Sequence, residues 1–151
     1  MKVYLVRHGK YLTPDKDLAG SLSKEGIDET KKIAKLLKKK KIKVDIMWHN
    51  KKIRTAQTAR IFLKIIGALE TLPRDDLGPA DSVNKFPESI HSLNRDLMIV
   101  GHNPFLQKLA TQLLSGITRF DAIYLPNSGI VCLDFDQSWK ILWSLGPALL
   151  G

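Results

Sequence analysis

Apolar residues fall along this chain in two alternating spacings. Residues 3–6, VYLV, form a short unbroken run that stops at Arg7, His8 and Gly9. Such a run, rich in β-branched and aromatic side chains, reads as a central buried strand, and Gly9 ends it where the backbone must turn. Residues 45–48 and 96–100 repeat that character, and residues 70–72 fit a third short strand between them. Elsewhere the spacing is helical. Ile33, Leu36 and Leu37 share one face of a helix that Ser23 caps and that runs to about Lys40, with Glu25 in its first turn. Asn50 is placed to cap a second helix over about 51–66, which Gly67 closes. Another follows Gly101-His102-Asn103-Pro104 and runs to Leu114, with Gly116 behind it.

Residues 73–94 carry Pro73, Pro79 and Pro87 with little periodicity, which predicts a long loop holding one short helix around 82–93. Residues 122–125, 130–135 and 140–144 read as paired strands, with Asn127-Ser128-Gly129 as a hairpin turn. Strands alternating with helices predict an α/β fold, a three-layer α/β/α sandwich with a mainly parallel central sheet, as a single domain over 1–151.

Composition narrows the class. At 151 residues, 44% hydrophobic and 26% charged, the chain is long enough for a sizeable core and excludes disordered, collagen-like and disulfide-scaffold proteins. The lone Cys132 sits in the apolar run IVCLDF and reads as a small core residue, so a reducing, cytoplasmic compartment is expected. The opening MKVYLVRHG is too short an apolar stretch for a signal sequence, no segment approaches a membrane span, and a soluble monomer is expected. The net charge of +9 favours acidic partners. Most of the excess lies in KKIAKLLKKKKIK, residues 31–43, where lysines cover the solvated face of a helix. Without aromatic residues interleaved among the basic ones, nucleic acid is not the expected partner.

The chemistry gathers where strands end. Two runs finish alike, LV-RHG at 7–9 and IV-GHN at 101–103, and each delivers a histidine to the carboxyl end of a strand, where ligands of such sheets bind. A third strand runs into HNKKIRTAQTA, which sets Arg54 one turn inside a helix opening beside the same rim. Helix N-termini offer free N–H groups to anions, and arginine's planar fork matches phosphate oxygens. Arg7, Arg54 and His102 can thus neutralise a phosphoryl group while His8 attacks phosphorus. The four histidines lack zinc-type spacing, and neither metal nor cofactor is expected.

In these residues the chain resembles the histidine phosphatase superfamily, with its phosphoglycerate mutase-like fold, and within it the short SixA-type phosphohistidine phosphatases. The matching stretches are Arg7-His8-Gly9, Leu22-Ser23-Lys24-Glu25-Gly26, Arg54-Thr55-Ala56-Gln57-Thr58 and Val100-Gly101-His102-Asn103-Pro104, in family order. The resemblance implies that His8 is the nucleophile that becomes a phosphohistidine, and that Arg7, Arg54 and His102 hold the phosphoryl oxygens. Asn50 and Asn103 are further candidates for phosphate binding. Asn50 stands where the family commonly has serine, and an amide can still cap the helix and donate to a phosphate oxygen. Mutase-like relatives use a glutamate acid after the second helix. Here that region offers Glu70, Asp75, Asp76 and Asp81 without a mutase pattern, and Asp76-Leu77-Gly78-Pro79 reads as a structural loop. A phosphoramidate leaves more readily than an alkoxide, so the expected substrate is phosphohistidine in an acidic histidine phosphotransfer domain.

Two other functions compete: a phosphatase of small phosphate esters or nucleotides, and a non-catalytic phosphate- or nucleic-acid-binding module. The remaining polar and aromatic landmarks have plainer expectations. His49 reads as an exposed neighbour of the cap, His91 as a surface residue, and Trp48, Trp139 and Trp143 as core or edge packing.

Overall fold

The computed structural model describes residues 1–151. Six strands form one sheet in the order β3-β2-β4-β1-β5-β6. They are β1 (Lys2–Arg7), β2 (Ile46–Asn50), β3 (Glu70–Arg74), β4 (Leu97–Gly101), β5 (Ile130–Asp136) and β6 (Ser138–Leu145). The first four are parallel, whereas β5 runs antiparallel to β1 and to β6. Helices α1 (Lys24–Lys39), α2 (Ile53–Ile65), α3 (Phe86–Leu93) and α4 (Phe105–Ser115) connect them, and a short 3-10 turn, Pro147–Leu150, ends the chain.

Alternation along the strands builds two cores. Val3, Leu5, Trp48, Leu97, Ile99 and Leu133 face one side and pack with Phe86, Ile90, Phe105 and Leu109 of α3 and α4. Tyr4, Val6, Met47, Met98, Val100 and Cys132 face the other and pack with Ile33, Leu37, Ala59 and Phe62 of α1 and α2. Burial on both faces is why these strands read as unbroken apolar runs. At the far end of the sheet the Asp96 carboxylate accepts from Lys2 N (2.8 Å), and the Asp45 carboxylate accepts from Asp96 N (3.0 Å), which pins the starts of neighbouring strands.

The helix starting at Ser23 follows its sequence signals: the hydroxyl accepts from Gly26 N at 3.0 Å. Its lysines at 31, 32, 35, 38 and 39 are exposed while Ile33 and Leu37 are buried. Trp48 lies in the core, and Trp139 and Trp143 pack against its two halves. Cys132 is fully buried, and burial pushes its thiol up to about 11.

Three expectations are corrected. Residues 122–125 form no strand; the Leu125 side chain enters the core and its carbonyl accepts from Asn103 Nδ2 (2.9 Å) instead of a ladder partner. Consequently Asn127-Ser128-Gly129 is not a hairpin turn. It folds over the end of β1, while the β5–β6 reversal falls at Gln137, whose φ is 68°. Asn50 is the last residue of β2 rather than a helix cap, because α2 begins only at Ile53 and the Asn50 side chain accepts from Lys52 N at 3.0 Å.

The loop after β1 is held against α1 by an ion pair of Lys10 with Glu25 (2.7 Å) and by close backbone contact. Ser23 N donates to the Lys10 carbonyl at 3.0 Å, and a methyl group at Gly26 would fall far inside contact distance of that same oxygen. Gly26→Ala is therefore expected to lower stability by about 1–3 kcal/mol despite alanine's better helix propensity, as read by urea unfolding.

Candidate active site

Arg7 pairs with Gly101 and His49 with Val100 across the parallel strands, so His8, Asn50 and His102 leave the sheet at one edge. His8 is held by its own backbone. Its N–H donates to the Gly101 carbonyl (3.0 Å), and its carbonyl accepts from Ser128 N (3.2 Å) and Asn127 Nδ2 (3.1 Å). Gly9 then runs through a space that is tight for any side chain. A methyl group there would meet Ser128 Oγ and Thr30 Oγ1 at 3.0 Å, and Gly9 N donates to Thr58 Oγ1 at 3.0 Å.

The His8 ring is 5% exposed, and its Nδ1 lies 2.9 Å from the Gly9 carbonyl oxygen. A carbonyl only accepts, so Nδ1 carries the proton and Nε2 keeps its lone pair. His102, 2% exposed, sets its ring 5.0 Å from that of His8. Its Nε2 lies 3.0 Å from Asn50 Oδ1. Tyr11 completes the cluster: its ring stands 5.4 Å from His8 and carries the Arg54 guanidinium 4.5 Å above its face. Arg7 Nη1 donates to the Leu125 carbonyl (3.3 Å), and the Nε atoms of Arg7 and Arg54 are both buried without an acceptor in the protein.

The RTAQT stretch supplies the frame as well as Arg54. Thr55 Oγ1 donates to the Asn50 carbonyl (2.8 Å) and ties β2 to α2. Gln57 Oε1 accepts from Leu22 N (2.7 Å), fastening the loop after β1. Asn103 is tied differently from a free ligand: its Nδ2 donates to Leu125, and its Oδ1 is buried without a partner. Sequence reasoning missed Tyr11, Gln57 and Thr58. The two α2 residues lay inside a recognised motif, but nothing in the spacing names their partners, and Tyr11 sits in a loop without periodicity.

The other candidates lie in different settings. His49 is half-buried in β2 with Nδ1 2.8 Å from the Asn50 carbonyl, rather than exposed beside a cap. His91 is exposed and meets the Phe135 ring edge-on at 4.6 Å. Glu70 pairs with Arg95 (3.2 Å), and Asp75 with Lys51 (2.9 Å). Asp81 accepts from Gly78 N (2.7 Å). Asp76 is gripped by Arg74 (2.6 Å) and Lys85 (2.7 Å), and the hydrogen bonds from Arg74 hold its carboxyl well below the usual range. It is a fixed anion in a loop, not a proton donor.

Burial first, then the charges of Arg54, Arg7 and Lys52, bring His8 down to about 4, against an opposing pull from its bond to Gly9. Burial and then His8, Arg54, Lys52 and Arg7 bring His102 down to about 3. Both rings are thus neutral at pH 7. The unfolded chain takes up these protons from about pH 6.5 downward, while the folded site refuses them. Stability is accordingly expected to be full above pH 6.5 and to fall as the pH drops toward 4, with the His8 resonances titrating near 4 by NMR.

Comparisons with known proteins bear on the fold and the family. The sequence profile of the histidine phosphatase superfamily (branch 1) matches residues 3–78. No curated protein matches the sequence. Among solved structures, the protein histidine phosphatase SixA complexed with tungstate superposes with a TM-score of 0.89 at 21% identity, covering 100% of both chains. A protein named as the phosphohistidine phosphatase SixA of Agrobacterium tumefaciens gives 0.79 at 23% identity, over 97% of each chain. The phosphoserine phosphatase of Entamoeba histolytica, solved with 3-phosphoglyceric acid, gives 0.69 at 17% identity over 95% of each. Such identities speak for a shared fold, phosphoglycerate mutase-like, while the matched profile spans the Arg-His pair of β1, the start of α1 and the arginine of α2. By that match the chain belongs to the histidine phosphatase superfamily, branch 1.

Proposed function

We propose that the protein is a metal-independent phosphatase whose substrate is phosphohistidine in an acidic partner protein. Membership of the superfamily supports phosphatase activity. The observation that carries the mechanism is the His8 ring, whose Nδ1 is committed to the Gly9 carbonyl, so that the unprotonated Nε2 is the nucleophilic atom. In this reading Nε2 attacks phosphorus, a new N–P bond forms as the bond to the substrate nitrogen breaks, and the departing imidazole takes a proton. Water then attacks the phosphoenzyme, releasing phosphate and restoring His8. Arg7 and Arg54, whose buried Nε atoms lack protein acceptors, together with His102, receive the charge that spreads over the phosphoryl oxygens.

Two features favour a nitrogen leaving group on a polypeptide. Every acidic side chain of the region after α2 is engaged in an ion pair or a turn, which leaves no dedicated carboxylic acid for an alkoxide. A cavity of about 510 Å³ also opens beside Arg7, walled by Lys10, Tyr124, Asn127, Leu145 and Leu149, with room for residues flanking a phosphorylated side chain. The lysines of α1 complement an acidic partner and steer its approach. Such partners, and a buried free thiol at Cys132, fit a cytoplasmic setting; no helix is long and apolar enough to cross a membrane. The Entamoeba neighbour, a phosphoserine phosphatase, supports the second reading, hydrolysis of small phosphomonoesters.

Acid-quenched trapping with a phosphohistidine phosphotransfer domain is expected to label His8 alone, and His8→Ala to lower turnover by roughly 10³-fold or more. Label elsewhere overturns the mechanism, and faster hydrolysis of phosphoserine or sugar phosphates reverses the order of substrates. Arg54→Ala is expected to cost about 10²–10³ in kcat while leaving the fold intact, checked by steady-state kinetics beside circular dichroism.

A further inference from the structure

We propose that Asn50 is a positioning residue that holds the His102 proton on Nε2, so that Nδ1 is the nitrogen that meets a phosphoryl oxygen and gains a proton as the anion binds. The role of the phosphoryl group rests on the phosphatase reading above; the orientation of the ring rests on hydrogen bonds alone.

Asn50 is buried at the end of β2, and both sides of its Oδ1 are occupied. From one side Lys52 N donates to it at 3.0 Å, and from the other it faces His102 Nε2 at 3.0 Å. A backbone N–H can only donate, which identifies that atom as the amide oxygen. Turning the amide over would set its NH2 against the Lys52 N–H and leave two donors face to face. The turn itself is fixed, because Thr55 Oγ1 donates to the carbonyls of both Asn50 (2.8 Å) and Lys52 (2.7 Å). His102 Nε2 must then be the donor to Asn50. The other ring nitrogen, Nδ1, has no partner in the protein.

That assignment has a chemical consequence. An unprotonated Nδ1 only accepts, and so does every oxygen of a phosphoryl dianion, so the two repel until a proton comes between them. The groups acting on His102 are His8 and Arg7 from β1 and its end, and Lys52 and Arg54 from the start of α2, with no carboxylate among them. Burial first, and then the charges of Arg54, Lys52 and Arg7, keep the ring neutral while the site is free of anions, and an incoming dianion offsets those charges. His102 therefore becomes an imidazolium only in the complex. The proton enters a site whose neighbouring acids are engaged elsewhere.

The test is nitrogen-15 NMR of the histidine rings, with tungstate as the probe because it is a dianion at neutral pH. In free wild-type protein His102 is expected as the Nε2–H tautomer, and saturation with tungstate at pH 7.5 is expected to move both of its nitrogens to protonated shifts. Asn50→Ala is expected to lose the single tautomer and to lower kcat by roughly tenfold to 100-fold, since a ring without an acceptor for its Nε2–H meets the phosphoryl group as a neutral, unanchored imidazole instead of a held imidazolium. Asn50→Asp keeps the acceptor oxygen and should restore the tautomer while moving the alkaline limb of the pH profile upward. An Nδ1–H tautomer in free wild type, an unchanged tautomer in Asn50→Ala, or a neutral His102 with tungstate bound would overturn the proposal. Should Asn50→Ala fail to fold, wild type and Asn50→Asp still decide it. The tautomer in free protein is independent of turnover, so absence of any phosphatase activity would sink the functional reading and leave this one standing or falling by itself.

Discussion

The hydrogen bond from the His8 N–H to the Gly101 carbonyl is the contact on which the site depends. It extends the β1–β4 ladder by one residue beyond Arg7 and Gly101, so His8 belongs to the sheet's framework while its ring stands outside the sheet. A histidine on a free loop would have rotamers to lose before engaging any ligand; this one has its backbone fixed on both sides and its Nδ1 fixed by Gly9. The neighbouring strand delivers His102 through the same register. Two rings from distant parts of the chain thus meet at 5.0 Å because two strands stop at the same level.

The pocket concentrates cations that no protein anion balances. Arg7 and Arg54 keep buried donors unmatched, and two histidines are driven neutral by burial and by their neighbours. Each of these is unfavourable for the folded chain taken alone. Their arrangement persists because rigid elements hold it: Tyr11 supports Arg54 from below, and Leu125 anchors Arg7 through its carbonyl. Under the proposed function an oxyanion would relieve all of these tensions together, and the unfavourable terms of the free protein would become affinity for a phosphoryl group.

Much of this was legible in the sequence. Apolar runs ending in Arg7-His8-Gly9 and Gly101-His102 marked both the strands and their chemical ends, because short runs rich in β-branched residues and closed by glycine suit a strand buried on two faces better than a helix. The helix at Ser23 was equally plain from its cap. Residues 122–125 misled because IYL carries strand propensity, whereas the chain there spends its Leu125 carbonyl on Arg7 and Asn103. Asn50 misled in a similar way. Its residue type fits a helix cap, yet it ends a strand, and its partner, His102, lies across the fold where local spacing says nothing. Tyr11 was invisible for the same reason, since a loop residue's stacking partners are set by tertiary structure alone.

The placement of β1 also governs how the molecule comes to exist. Its ladder partners are residues 97–101 on one side and 130–134 on the other, so a strand with four buried residues at its centre is the first of the six to be synthesised and among the last to be paired on both edges. Contacts this distant in sequence make folding slow relative to helical proteins of the same size, because loop closure precedes any reward from pairing. Until residue 134 has left the ribosome, VYLV remains an unsatisfied apolar edge open to chaperones or to other chains. Assembly of the pocket in this architecture is consequently a late product of folding, because His8 and His102 meet only once β1 and β4, far apart in sequence, have paired.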